Sequence, residues 1–316
     1  MNNKDRASFM SKGWVVFLGA MLSCALWGSA FPFVKTGMKM LGLSASDTAG
    51  QILFGGVRFV LAGILVLIAG SAVRRRPLVP RRDQIPRIML LSIFQCSGQY
   101  IFYYIGIARA TGVNTAIVDS LSFFLSIIFA CLIFRMEKMT AVKILGCVLG
   151  FSGVVIVCLE GASLSLQMSA AGEGMIVVSA ACSAMSTSVS KIFSRDDDVM
   201  LLCGSQFIFG GLVMIAAAFA LGAEPLHFAP SSAALLIYLA FVSSCAYSVW
   251  VLLLKYNPVS LVAIYGFMTP VFGVILSALI LGESQGLQLR YIISLAVISL
   301  GIMLVNRAPS ESPGDR

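Results

Sequence analysis

Charge is scarce in this sequence, and so are the residues that usually do chemistry. Only 11% of the 316 residues are Asp, Glu, Lys or Arg, and a single residue is histidine. A soluble domain carries about 25% charged residues, so a water-solvated surface is excluded. The eight cysteines, at 24, 96, 131, 147, 158, 182, 203 and 245, all stand in apolar runs without paired ligand spacing. That pattern gives neither a zinc site nor a disulfide framework, and they read as small core residues. His227, the one histidine, falls in a loop and reads as inert. With no His or Cys cluster and no carboxylate pair in one apolar run, a catalytic constellation is not expected, nor a metal. A glycine-rich phosphate loop is also missing, which argues against ATP as the energy source, and no cofactor is expected.

What is abundant is apolar surface. Hydrophobic residues make up 59% of the chain and the mean hydropathy is +0.94. A membrane-spanning helix needs ~20 mostly apolar residues. By that measure ten spans are expected, at about 13–34, 51–73, 88–108, 112–134, 144–159, 174–190, 199–223, 231–254, 259–281 and 291–306. The fold class is therefore an all-α integral membrane protein with short connections. The net charge of +8 is distributed as membrane orientation requires, with Lys and Arg clustered in alternate loops. Placing both termini in the cytoplasm puts 17 of the 22 basic residues on that side; Lys39, Arg109 and Arg290 fall outside, and Lys35 and Arg58 within spans. The run "VRRRPLVPRRDQIPR" reads as an orientation signal, not as a nucleic-acid patch. The first apolar run lacks a persuasive cleavage site and is expected to be retained as span one.

The two halves echo each other. "CALWGSAFPFVKTG" in span one has a counterpart in "AACSAMSTSVSKIF" in span six, with Lys35 and Lys191 equivalent and 156 residues apart. "QYIFYYIGIA" pairs with "AYSVWVLLLK", and "IIFACLIFRMEK" with "VILSALILGESQ", each of the last two ending near a glutamate, Glu137 and Glu283. Five spans per half is an odd number, so the halves must enter the membrane in opposite directions. Such inverted repeats are an architecture of secondary transporters, with the solute site between the halves near the midplane. The expected organisation is a tail at 1–12, a five-helix repeat at 13–160, an outer connecting loop at 161–173, a second five-helix repeat at 174–306 and a tail at 307–316.

"LWGSAFPFVK", "VRFVLAG" in span two, "TPVFGVILSALILGES" in span nine and the Gly-rich close of span five together resemble the EamA family of the drug/metabolite transporter superfamily. The resemblance runs over spans one to ten. It implies ten helices in two inverted five-helix repeats and alternating access, with helices one to four and six to nine around a central cavity. It implies no particular solute. The second half departs by lacking the Trp-Gly pair, and the first has "SLSFF" where the second has the Pro of "FMTP".

Individual residues then stand out. Asp119 in span four and Arg58 in span two each lie 7 residues inside the outer end of their spans, hence roughly 10 Å below the surface at ~1.5 Å per residue. An ionisable group within a span costs at least ~2.5 kcal/mol on insertion scales and normally finds a partner. The pair is either a fixed bridge between helices or a coupling pair remade when solute or a proton arrives. Thr115, Asp119, Ser122 and Ser126 share a helical face, as do Gln95, Gln99 and Tyr103, with Tyr100 and Tyr104 alongside. Tyr247 and Trp250 are their echo in span eight. Aromatic walls with a few directed polar groups suit an organic solute, although aromatics also anchor helices at interfaces. The serines of span six and Gly146, Gly150 and Gly153 of span five read as close helix packing. Trp27, Gly28 and Pro32 in span one permit a bend, Gly28 and Pro32 forming a hinge with Trp27 toward the cavity. Asp196, Asp197 and Asp198 are expected in a solvated loop, and Lys35 and Lys39 to snorkel outward.

The sequence thus points to a multi-pass cell-membrane protein, not an enzyme, that moves a small polar metabolite such as an amino acid outward, driven by the solute gradient or protons. Trp27, Gln99, Tyr103, Asp119, Tyr247 and Trp250 would bind the solute. The alternative is a proton-coupled exporter of lipophilic cations with Asp119 as cation receptor. Its partners would be solute, protons and lipid, with no nucleic acid; glycine faces allow a monomer or a homodimer.

Overall fold

The structure, a computed structural model, describes residues 3–44, 46–107, 109, 118–158, 171–281 and 289–307. Every regular element among those residues is helical. A short α1 (Asn3–Met10) leads into α2 (Gly13–Met40), α3 (Thr48–Arg74), α4 (Ile85–Ile107), α5 (Leu121–Ile133) and α6 (Ala141–Cys158). The second half holds α7 (Glu173–Asp196), α8 (Val199–Ala220), α9 (Pro230–Tyr256), α10 (Val259–Ala263), α11 (Met268–Leu281) and α12 (Leu289–Arg307), with a single 3₁₀ turn, Ile264–Phe267, joining α10 to α11.

Six of these helices, α2, α3, α4, α7, α8 and α9, are long and apolar enough to cross a membrane. At ~1.5 Å per residue they exceed a hydrocarbon core of ~30 Å. The apolar helices at α5, α6, α10–α11 and α12 are shorter within the described residues. Large apolar side chains such as Trp14, Leu18, Ile68, Leu132, Val213 and Phe241 face outward. Lipid is the solvent that makes such a surface stable, and the chain is a multi-pass membrane protein.

Local chemistry sets several ends. The Asp47 side chain accepts from the Gly50 N–H at 2.8 Å and caps α3, and Asp198 caps α8 by accepting from Met200 and Leu201. Gly42 and Gly222 follow α2 and α8 with positive φ, where a Cβ is disfavoured.

Packing follows a pattern. α3 lies on α8 and α6 on α12; α2 packs on α9 and α11, while α7 packs on α4 and α5. Individual contacts come in pairs related by a nearly constant shift along the chain. Ser23 donates to the Ala246 carbonyl at 3.2 Å, and Ser179, 156 positions on, donates to the Gln99 carbonyl, 147 positions back, at 2.7 Å. Ser97 reaches Gly210 at 3.4 Å and Ser244 reaches Ala62 at 2.9 Å. A Cβ on Gly63 would meet the Gly204 carbonyl at 2.5 Å, and one on Gly56 the Gly211 carbonyl at 2.9 Å. Exchanging first-half for second-half positions carries each contact onto its partner. Tyr100 and Tyr247 map onto one another, and their hydroxyls share a hydrogen bond of 3.0 Å.

One sequence expectation fails at the arginine-rich end. Asp197 is not in a solvated loop; it is buried, accepting from Gln84 at 2.6 Å and from Arg87 at 3.2 Å, while its carbonyl takes Lys255 at 3.3 Å. Arg74 pairs with Asp198 beside it. The loop is acidic because it fills a basic corner, which local polarity could not reveal. Glu283, Thr115 and residues 161–170 of the connecting loop expected over 161–173 lie outside the described residues.

Candidate functional site

Helices from both halves bring together a buried cluster of aromatic rings, called the aromatic chamber below. Trp27 of α2 packs on Tyr247 at 5.0 Å and on Trp250 at 5.1 Å, both from α9. Tyr247 meets Phe207 of α8 at 5.2 Å, and Phe207 meets Phe59 of α3 at 5.3 Å. Phe59 lies 4.5 Å from Tyr100 of α4, which continues to Tyr103 and Tyr104. The tilted and edge-on geometries are those that aromatic quadrupoles favour.

Arg58 enters this chamber from α3. It is almost fully buried; its Nε donates to Ser243 Oγ at 3.1 Å, and its guanidinium lies 4.9 Å from the Phe59 ring centre and 5.9 Å from that of Tyr100. Asp119 stands just before α5, partly buried, and both charges act electrostatically on Tyr100 and Tyr103. The fixed bridge between them does not form: among the described residues, no ion pair joins Arg58 to Asp119. Equal depth along two helices does not fix which way each side chain faces, and Ser243 holds the guanidinium on the α9 side.

The shared face expected of Gln95, Gln99 and Tyr103 is also broken. Residues Ile93–Gly98 form a π-helical turn, and its extra residue per turn rotates the rest of α4. Gln95 points between α7 and α8, accepting from Gln206 at 3.0 Å and from Ser190 at 3.3 Å. Gln99 remains beside the chamber through its neighbour Tyr100, and its side-chain oxygen is buried without a partner among the described residues. The Trp27 indole N–H is likewise unpartnered. Such orphaned polar atoms are rare in a settled core.

The two hinge candidates are placed differently. Pro32 is inside α2, which continues on both sides of it. Gly28 is where α2 touches α11, so close that a Cβ would come within 2.6 Å of Phe272 Cβ. Among the described residues no group of His, Cys, Asp and Glu is of metal-holding size. Tyr100, Ser243, Phe59 and Phe207 are chamber residues that spacing did not single out as binding residues. Tyr100 could have been found, since it occupies the same place in "QYIFYYIGIA" as Tyr247 does in "AYSVWVLLLK".

Relatives share the whole length. A protein from Archaeoglobus fulgidus described as an uncharacterized transporter is 24% identical over 304 residues, covering 94% of this chain and 99% of its own. The uncharacterized transporter YvbV of Bacillus subtilis is 23% identical, covering 89% and 88%. A solved crystal structure superposes with a TM-score of 0.74 over 92% of this chain and 95% of its own, at 17% identity, and so shares the fold. The profile of the EamA-like transporter family matches residues 14–159 and again 170–307. The chain belongs to the EamA-like transporter family, within the drug/metabolite transporter superfamily.

Proposed function

We propose that this protein is a secondary transporter that exports a small zwitterionic metabolite, an amino acid or a similar solute, by alternating access. The observation that carries this reading is that a buried Arg58 lies against the ring of Tyr100, that Asp119 stands before α5, and that no ion pair joins the two among the described residues. A carboxylate on the solute would meet the Arg58 fork, and an ammonium would meet Asp119. The apolar remainder would lie along Trp27, Tyr103, Tyr247 and Trp250, with Gln99 and the Trp27 N–H taking a polar group.

The architecture proposed with it is two inverted five-helix repeats, 13–160 and 174–306, with both termini cytoplasmic. The paired contacts and the double family match support this. Pro32 leaves a backbone carbonyl of α2 unbonded and gives that helix a place to bend.

The experiment is a ligand-induced thermal shift of the purified protein across amino acids, other metabolites and lipophilic cations. A ligand at one hundred times its Kd adds about 2.7 kcal/mol. Zwitterions are expected to stabilise the protein, and Asp119→Asn to reduce that response. Stabilisation by lipophilic cations alone, lost entirely in the variant, would replace this reading with a multidrug exporter.

A further inference from the structure

The central contacts are paired between the halves, but the two ends of the molecule are not alike. Lys191 on α7 is buried, and its Nζ donates to the carbonyls of Leu254, at 2.8 Å, and Asn257. These groups end α9, where the last carbonyls have no helical partner. Three residues on, Ser260 opens α10. Its N–H donates to Glu137 Oε1 at 3.2 Å and its hydroxyl to Glu137 Oε2. Glu137, in the connector between α5 and α6, is buried too and takes Lys143 at 2.9 Å. So the corner that joins α9 to α10 is held from both sides, its carbonyls by a cation and the Ser260 amide by an anion.

The helices on each side of these bonds form two groups, which meet where α9 lies on α7 and α10 on α5. In the first, α2 packs on α9 and α11; in the second, α7 packs on α4 and α5. Lys191 and Glu137 belong to the second group and its connector, and they grip the corner of the first. Lys35, the counterpart of Lys191, is exposed and makes no hydrogen bond or ion pair among the described residues. One end of the molecule is clasped by its lysine and the other is not.

We propose that Lys191 and Glu137 form a latch that closes this protein at its arginine-rich, cytoplasmic end, and that Lys35 takes the same part at the opposite end when the first latch opens. The proposal rests on the alternating-access reading above. Opening inward requires the α9–α10 corner to leave the α7 group, which breaks all four bonds at once. In the reverse state Lys35 would close on the end of α4, where Ile107 is the counterpart of Leu254. The buried charges make the latch two-state. Once it parts, Glu137 keeps Lys143 but loses Ser260, and Lys191 loses both carbonyls, so a half-open arrangement leaves a buried cation without partners in a dry corner.

The test uses spin labels at two exposed positions of that end, Lys12→Cys beside α2 and Arg195→Cys on α7, in a full chain whose eight native cysteines are replaced. Distance distributions are measured by pulsed electron resonance. Lys191→Met is expected to add a longer-distance population, Glu137→Gln to do the same, and Lys35→Met to leave the distribution unchanged. Glu137→Gln keeps its size and carries the test if Lys191→Met does not fold. An unchanged distribution in a folded variant overturns the latch, and so does lengthening by Lys35→Met equal to that by Lys191→Met. Amino-acid binding is read on the same samples by thermal shift. Lengthening without any amino-acid response sinks the solute assignment and leaves the latch standing, whereas an amino-acid response without lengthening sinks the latch alone.

Discussion

Arg58 shows how a buried charge is held by neutral partners. A guanidinium inside a membrane span costs several kcal/mol if left alone. Here it has a neutral hydroxyl, Ser243, and the faces of Phe59 and Tyr100, which contribute about 0.5–2 kcal/mol through cation–π attraction. These partners hold it without cancelling its charge. Arg58→Lys keeps the charge but loses the planar fork, and we expect amino-acid affinity to fall about tenfold, one bidentate contact being worth roughly 1.4 kcal/mol. Isothermal titration of the folded variant measures this, and an unchanged affinity would place the solute carboxylate elsewhere. Tyr247→Phe removes the hydroxyl bond to Tyr100 while keeping the ring contact with Trp27. A loss of about 1 kcal/mol in stability is expected, read from the melting midpoint. The Asp119–Arg58 pair, plausible from depth alone, was not decidable at this scale, because sequence gives a residue's height in the membrane but not its azimuth.

At the scale of elements, glycine decides how closely helices meet. Gly63 faces the Gly204 backbone across the α3–α8 crossing, with 2.5 Å between a virtual Cβ and the carbonyl. Gly63→Leu should push the helices apart and cost about 1–3 kcal/mol or more by overpacking. Gly13→Ala, with nothing within 4 Å, is the matched control and should leave the midpoint unchanged. Equal losses in both would show that the crossing is not the tight contact it is taken for. The helices themselves were legible as apolar runs, since lipid demands them. The π-helical turn at Ile93–Gly98 was not. It inserts an extra residue per turn without any proline or glycine signature at its start, and it sends Gln95 into a packing interface while Gln99 stays by the chamber.

For the whole molecule, the proposed exchange of states makes a kinetic prediction. Counterflow in proteoliposomes should saturate with a zwitterionic amino acid, and a bulky lipophilic cation should not block it. Competitive block by the cation would favour the multidrug alternative. Arg74–Asp198, Arg87–Asp197 and the α9–α10 corner tie the arginine-rich end together. Weakening that end should accelerate counterflow if its opening limits the rate, and Lys191→Met is the variant to compare.

By itself the sequence determined that the chain lives in lipid, where its apolar runs lie, and that its halves echo one another. Each of these depends on composition along the chain, because a bilayer tests every span for hydrophobicity one by one. Only the tertiary structure decided which buried charges have partners. Arg58 turned to Ser243 and not to Asp119, and Asp197, Glu137 and Lys191, ordinary loop and helix-end charges by position, became buried clasps. Those outcomes depend on helix rotation and on neighbours from 63 to 185 residues away, which packing fixes and local sequence does not encode.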